Sequence, residues 1–329
     1  MFPIVTVIIP TANRPHYLPR AVKSALSGMQ PNEVEVIVIP NGLDESWKES
    51  LKPYRDNPSV RVMQQIPEAN ANIARNAGLA AARGNIVRFL DDDDYLIPEG
   101  AVKQYNLMKT SGVDVICGAI NAVNTNGEIL RTFKPPAYDD FCEAITSPRG
   151  FCLTHAYVYR KACLDGVTWN PAIKNRQDVY WLFDLCKSKE IKWIHTDGIV
   201  GVWQHHWGLR ISTEQNIDNS NRRTARTLLR LFNTFKKNNR LSEGRSKSIA
   251  EGLWSCVHAA FIFNSQYWTR IAKVARRIDP QSKPIQPIYN WPMIRLIDPL
   301  VVQWILWPKK LFSHFRRGWA LKHKSESFW

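Results

Sequence analysis

The stretch ARNAGLAAARGNIVRFLDDDDYLIP, residues 74–98, decides the reading of this chain. Within it Ile86, Val87, Phe89 and Leu90 form an apolar run around Arg88, and four consecutive aspartates follow, Asp91 to Asp94. A short β-branched and aromatic run that ends in carboxylates reads as a buried strand opening into a loop. Carboxylates crowded this closely repel one another and are costly to desolvate, so the loop suits a cation with oxygen ligands, Mg2+ or Mn2+. A solvated acidic turn before the helix that Pro98 and Glu99 continue would be written with the same letters, and the cluster alone does not separate the two.

Outward from this stretch, strands alternate with helical segments. Ile4 to Ile9 and Val34 to Ile39 read as buried strands ended by Pro10 and Pro40, and Val60 to Gln64 as a third. Tyr17 to Leu26 and Ile73 to Ala82 read as helices between them, the pattern of parallel βαβ units. In such sheets ligands sit beyond the carboxyl ends of the strands, which brings the loops Thr11 to Arg14, Asn41 to Asp44 and Asp91 to Asp94 to one crevice. No GxGxxG follows any of these strands and no phosphate-binding P-loop is present, so a dinucleotide-binding fold does not fit. Phosphate must be handled in another way, and a metal on the aspartates supplies one.

Four pieces in order, VTVIIPTANRPHYLPRAVKSAL (5–26), EVIVIPNGLDE (35–45), NANIARNAGLAAARGNIVRFLDDDDYLIP (70–98) and NRQDVYWLFDL (175–185), resemble the N-terminal domain of family 2 glycosyltransferases. The likeness covers roughly residues 3 to 212. It implies an α/β protein with the GT-A (nucleotide-diphospho-sugar transferase) fold, a mostly parallel sheet flanked by helices, in bacterial polysaccharide or lipopolysaccharide assembly. It also implies a nucleoside-diphosphate sugar as donor (a UDP-sugar foremost), a divalent metal, and inversion at the anomeric carbon. Thr11 and Arg14 fall in the family's first nucleotide-binding loop. Asn41 stands, after Pro40, where the family often has an aspartate on the base or ribose; its amide oxygen can still accept from a base N–H. Arg75 matches the position that reaches the diphosphate, Asp93 the usual metal ligand, and Asp91 and Asp92 positions that hold ribose or water on the metal. Asp94 reads as a cap for the next helix.

Gly112 to Ile120 reads as a strand, with a turn at Asn124 to Gly127 and a partner strand Glu128 to Phe133. Tyr157 to Tyr159 lead into Arg160 and a helix. Further on, the family has a Glu-Asp pair at a helix start, and this chain has Gln177-Asp178, leaving Asp178 as the general base. A helix-capping role for Asp178, ahead of Val179 to Ser188, is the plainer alternative. Lys192 to His195 and Gly198 to Trp203 read as the last strands. The family's metal-site histidine falls just past them, at His205 or His206, and the spacing of Gly208, Arg210 and Ser212 favours His206.

Charge divides the chain. Residues 1–212 hold 23 Lys and Arg against 22 Asp and Glu, and residues 213–329 the remaining 21 of 44 against 7 of 29, so the net charges are +1 and +14. This separates a catalytic domain, 1–212, from a basic, aromatic-rich helical C-terminal region, 213–329. From Leu300 onward Val301, Trp304, Ile305, Leu311, Phe312, Phe315 and Trp319 recur mostly at steps of three and four, with Lys309, Lys310, Arg316 and Arg317 between them. Such a stripe suits a helix lying in a membrane interface over anionic lipid, or one packed on the core or on a second subunit. Pro299 and Pro308 are expected to break it into pieces. The uncharged stretch Leu253 to Thr269 is too polar for a membrane span. The six cysteines form no CxxC pair and no basic-then-apolar leader opens the chain, as in a cytosolic protein. No nucleic-acid reader motif lies in 213–329, and Pro10-Thr11 stands where a phosphohydrolase would need a nucleophilic aspartate. The expected partners are therefore the nucleotide sugar, a glycan or lipid-linked acceptor, and the cytoplasmic face of the membrane, held peripherally.

Overall fold

The computed structural model describes residues 3–68, 70–150, 153–205 and 216–326. Its elements begin β1 (Val5–Thr11), α1 (Leu18–Leu26), β2 (Val34–Pro40), α2 (Trp47–Ser50), β3 (Val60–Val62), α3 (Ala71–Ala81) and β4 (Ile86–Phe89). They continue β5 (Tyr95–Leu96), α4 (Pro98–Thr110), β6 (Val115–Val123), β7 (Ile129–Phe133), α5 (Phe141–Thr146), β8 (Tyr157–Arg160), α6 (Gln177–Ser188) and β9 (Trp193–Gln204). Four helices follow: α7 (Ile217–Lys237), α8 (Glu243–Ala260), α9 (Ser265–Ile278) and α10 (Pro299–Glu326). The chain divides into two compact units, Met1–Ile145 with Arg149–Glu214, and Thr146–Pro148 with Gln215–Trp329.

The first unit is built on a single sheet ordered β3-β2-β1-β4-β8-β6-β9-β5, with β7 on β6. β3, β2, β1 and β4 pair parallel, as their burial on both faces requires: every residue of β1 and β2 is buried. Beyond β4 the sheet is mixed. β8 runs antiparallel between β4 and β6, while β6 and β9 are parallel again. Four residues were too few to announce β8 as a strand. The two strands expected after Lys192 are one, because β9 crosses Asp197 and Gly198 by shifting register against β6 near Cys117 and Ala119.

Glu35 interrupts the apolar run of β2 and is nevertheless buried. Thr6 Oγ1 donates to its Oε2 at 2.9 Å, and Arg83 and Arg61 reach its Oε1 at 2.7 and 3.1 Å. A buried carboxylate persists only with such partners. The small-residue helix α3 lies close on the sheet: a Cβ on Gly78 would sit 2.5 Å from Ile8 Cγ2 and 2.9 Å from Ile39 Cδ1. Its glycine and alanines set how near α3 can bring Arg75 to β4.

The second unit is helical. Asn216, Ser242 and Asn264 cap α7, α8 and α9 by accepting backbone N–H groups, and Trp254, Trp268, Phe235 and Phe261 are fully buried. α10 is one helix, not the pieces that its prolines suggested. Pro299 sits at its first position, where no N–H is required, and Pro308 costs the interior one hydrogen bond without ending it. Along α10, Val302 and Gln303 are buried while Val301, Trp304, Ile305 and Phe312 are exposed.

Candidate active site

Because β1, β2 and β4 are parallel neighbours, their carboxyl ends share one edge of the sheet. A cleft of about 840 Å³ opens there in the first unit. Ala12, Arg14, Asn41, Arg75, Asp91 to Asp94, His155 and Asp178 line it. Thr11 closes β1 beneath it, so the described residues singled out from the sequence converge, apart from His205.

Asp92 is buried against the β1 loop. Its Oδ2 accepts from Thr11 Oγ1 at 2.8 Å and from the Ala12 N–H at 3.3 Å, and its Oδ1 from Arg14 Nη1 at 3.0 Å. The same Nη1 lies 2.7 Å from Asp93 Oδ2. Arg20 donates to the Asp93 carbonyl at 3.0 Å and to Gln204 Oε1 at 3.0 Å. Asn41 commits its amide nitrogen to the Thr11 carbonyl at 3.0 Å, so what it can offer a nucleotide is its carbonyl oxygen.

Asp94 does not cap the next helix, whose N-cap is Ile97 without a side-chain bond. Instead its Oδ1 accepts from the Gln204 N–H at 2.9 Å and its Oδ2 lies 3.2 Å from His155 Nδ1, joining the acidic loop to β9 and to the turn before β8. His155 was not foreseen. It is 1% exposed, its Nε2 has no hydrogen-bond partner among the described residues, and the missing side chain of Gly201 makes room for its ring. A lone histidine in FCLTHAYVY carries no signal in sequence.

Arg75 joins the two halves of the cleft. Nη2 donates to Asp91 Oδ1 at 2.6 Å, Nη1 to Gln177 Oε1 at 2.9 Å, and the guanidinium lies 4.5 Å over the Trp169 ring. Trp169 in turn stacks on Trp181 at 4.7 Å. The asparagines of NANIARN were also missed as site-builders. Asn70 donates to the Pro171 carbonyl at 2.9 Å, and Asn72 to those of Asn170 and Ile173 at 2.7 and 3.0 Å. Asn76 exchanges two bonds with the Trp169 backbone at 2.7 and 2.8 Å. They seat the loop that delivers Asp178, in the first turn of α6, where its Oδ1 accepts from the Val179 N–H at 2.9 Å.

The electrostatics follow from crowding. Burial works to raise Asp91, but Arg75 outweighs it and holds this carboxyl low. Asp92 is pushed up to about 7 by burial, with Asp93 and Asp91 adding to it against Arg14 and Thr11. Asp94 is raised by burial, then by Asp93 and Asp91. Asp178 is raised to about 6, chiefly by burial, against its bond to Val179 and the charge of Arg75. His155 is lowered to about 4 by burial, with Arg88 adding to it against Asp91. Crowding and burial thus favour protonation of Asp92 and Asp94, while Arg75 keeps Asp91 ionised.

Such an oxygen-only, electron-rich set fits a hard divalent ion in its chemistry. Among the described residues, no group of three or more His, Cys, Asp or Glu is arranged around a common ion position. His206 lies outside the described residues. His205 follows β9 directly, bonded through its N–H to the Val123 carbonyl at 2.7 Å, its ring 4.3 Å from Trp203.

Known proteins bear on this site. The family model described as Glycosyl transferase family 2 matches residues 6–162. An uncharacterized glycosyltransferase of Methanocaldococcus jannaschii is 29% identical over 139 residues, 41% of this chain and 48% of its own. The poly(ribitol-phosphate) beta-glucosyltransferase of Bacillus spizizenii is 23% identical over 193 residues, 57% of this chain and 30% of its own. The chondroitin synthase of Pasteurella multocida is 36% identical over 132 residues, 39% of this chain and 13% of its own. This chain thus spans less than half the length of these relatives. Among solved structures, S. aureus TarS 1–349 in complex with UDP-GlcNAc superposes with a TM-score of 0.64 at 18% identity, covering 97% of this chain and 92% of that one. At that identity the likeness is one of fold.

Proposed function

We propose, from the match of the Glycosyl transferase family 2 model to residues 6–162, that the chain is an inverting transferase with the GT-A fold, working in cell-surface polysaccharide assembly. It takes a sugar from a nucleoside-diphosphate donor, a UDP-sugar foremost, to a hydroxyl of a glycan or lipid-linked acceptor. One observation carries the reading: a single cleft holds a carboxylate suited to accept a proton, Asp178, and a buried guanidinium, Arg75, beside the acidic loop. The printed names of the relatives that act on poly(ribitol phosphate) or make chondroitin, and of the TarS complex with UDP-GlcNAc, support it.

In this reading Thr11, Arg14 and Asn41 receive the nucleoside, with Asp91 and Asp92 on the ribose side. Arg75 holds the diphosphate, and its charge offsets the negative charge that grows on the leaving group. The acceptor hydroxyl lies against Asp178, whose carboxylate takes the proton as the new bond forms on the face opposite the diphosphate. Asp93, with His206, would hold Mg2+ or Mn2+, which supplies further charge neutralisation at the diphosphate when bound.

The metal assignment has a direct check. Titration calorimetry of the full chain with UDP-GlcNAc is expected to show at least about tenfold weaker binding in EDTA than in Mn2+, roughly 1.4 kcal/mol. Equal affinity in the two buffers would remove the ion from the site.

The basic C-terminal region is proposed to rest on the cytoplasmic membrane face. No helix among the described residues is long and apolar enough to cross a membrane, yet Trp291, Met293, Leu296, Trp304 and Phe312 are all exposed in a region rich in Lys and Arg. Each basic group near an anionic leaflet contributes about 1 kcal/mol, so four give roughly 4 kcal/mol, screened by salt. The full chain should sediment with anionic vesicles, leave them in part at high salt, and do so less when Trp304 and Phe312 are both changed to Ser. Equal sedimentation with neutral vesicles, or none with either, would sink the assignment.

A further inference from the structure

The turn Thr154–Ala156, which leads into β8, is held by a buried polar network that the transfer chemistry does not use. Arg88 on β4 and Gln104 on α4 are both buried, and Arg88 Nη2 donates to Gln104 Oε1 while its guanidinium lies 5.0 Å over the Tyr105 ring. Gln104 Nε2 donates in turn to the Ala156 carbonyl at 3.2 Å. Room for that amide comes from Gly118, where a Cβ would sit 3.0 Å from Gln104 Nε2. The residue next to His155 is thus gripped from inside the core.

His155 is placed in the same way. A Cβ on Gly201 would come within 2.7 Å of its Cδ2 and 3.1 Å of the Tyr95 carbonyl oxygen, so the bare glycine lets the ring lie against β9. Its Nδ1 faces Asp94 Oδ2 at 3.2 Å, and its Nε2 is without a hydrogen-bond partner among the described residues. A site that needed only volume would hold leucine or phenylalanine, because a buried nitrogen left unpaired lowers stability. Imidazole is the choice that suits the contact with Asp94. That aspartate is an anchor of the acidic loop: its other oxygen accepts from the Gln204 N–H at 2.9 Å, and its own N–H closes the turn on the Asp91 carbonyl at 3.1 Å. Arg20 holds the neighbouring Asp93 carbonyl at 3.0 Å. With both carboxyl oxygens of Asp94 fixed, the turn that carries Asp91, Asp92 and Asp93 has little freedom.

We propose that His155 is a positioning residue of the acidic loop: it fixes the Asp94 carboxyl, and through it the aim of Asp91, Asp92 and Asp93 at the donor. The proposal rests on the transferase reading of the cleft and adds to it a residue that acts through Asp94 rather than by touching the reacting atoms. Its effect is pre-organisation, since carboxylates already aimed need no rearrangement when the nucleotide arrives.

The test sets two kinds of substitution against each other in the full chain. His155→Asn places an amide where Nδ1 stands, at the same number of bonds from Cα, and can donate to Asp94 or accept from it. His155→Leu and His155→Phe fill the space and can do neither. Affinity is read by titration calorimetry with UDP and with UDP-GlcNAc in Mn2+ buffer, and folding by urea denaturation. The apolar variants are expected to weaken nucleotide binding about tenfold or more, the usual cost of removing a group that orients ligands from behind, and His155→Asn to stay within about threefold of the wild type. A residue that merely filled space would give the opposite order, with Leu and Phe close to the wild type and Asn, which leaves a cavity, the weakest binder. That order overturns the proposal, and so do equal affinities in all the proteins. If neither apolar variant folds, His155→Asn decides alone: affinity near that of the wild type upholds the contact with Asp94, and a loss as large as that expected of Leu overturns it. A wild-type chain that binds neither UDP nor UDP-GlcNAc sinks the transferase reading and the proposal with it, whereas a wild-type chain that binds while its variants fall in the opposite order sinks the proposal alone.

Discussion

Asp178→Asn is expected to lower turnover by roughly 10²- to 10⁴-fold, the usual span for a positioned general base, with donor affinity and unfolding midpoint close to those of the wild type. The substitution keeps the size of the side chain and an oxygen for the Val179 N–H, so the first turn of α6 loses nothing. What it loses is the ability to take a proton from the acceptor hydroxyl. The pH profile carries the same signature. Burial raises this carboxyl to about 6, and the base works only when deprotonated, so turnover should fall as pH drops through about 6 and level off above it. The Asn variant should lack that acid limb. Rates near those of the wild type would instead make Asp178 a helix-terminus residue and move the base elsewhere.

Gly100→Ala should cost about 3 kcal/mol or more, the upper end of what overpacking does, and abolish activity by way of the fold. At the start of α4 the backbone passes so close to β9 that a Cβ on Gly100 would run into the Ile199 carbonyl oxygen, with the Ile199 carbonyl carbon at 2.8 Å and Val200 Cα at 3.1 Å. These are backbone atoms and cannot rotate away. The Ile97 N–H bonded to the Val200 carbonyl at 3.0 Å fixes the helix to the strand at this point. β9 also carries Gln204, whose N–H is bonded to Asp94, so the displacement would travel into the acidic loop. Gly112→Ala is the control: a Cβ there meets nothing within 4 Å. Urea denaturation of the three proteins decides the matter, and a Gly100→Ala midpoint equal to that of Gly112→Ala would mean that α4 and β9 are not so closely set.

The contrast between Gly100 and the aspartates says what could be read from the letters alone. β1, β2, β4 and the acidic loop were legible because long apolar runs and repeated carboxylates leave few other physical solutions, and the order of their motifs pointed to the same family that the match over residues 6–162 gives. The antiparallel β8 was not legible, being four residues inserted between strands far apart in sequence. Asp94 was read locally, as a helix cap, when its partners lie at His155 and Gln204. Side-chain bonds to distant backbone, such as those of Asn70, Asn72 and Asn76, have no period and no composition. They become visible only when the loop they hold is placed beside them. Pro308 misled for a related reason: a single missing hydrogen bond is a local penalty, and helix α10 continues past it.

The seat of the loop that carries Asp178 is made of amides. Asn70, Asn72 and Asn76 hold residues 169–173 with groups that neither gain nor lose a proton in water at any pH the fold survives. The anchorage is electrically silent. Across the interval in which Asp178 exchanges its proton, nothing in that anchorage titrates with it, so the loop keeps its position while its most important member changes charge. An acid limb in the turnover profile then carries no contribution from movement of that support, and reports protons taken up by the carboxylates of the cleft itself, Asp178 near 6 and Asp92 near 7.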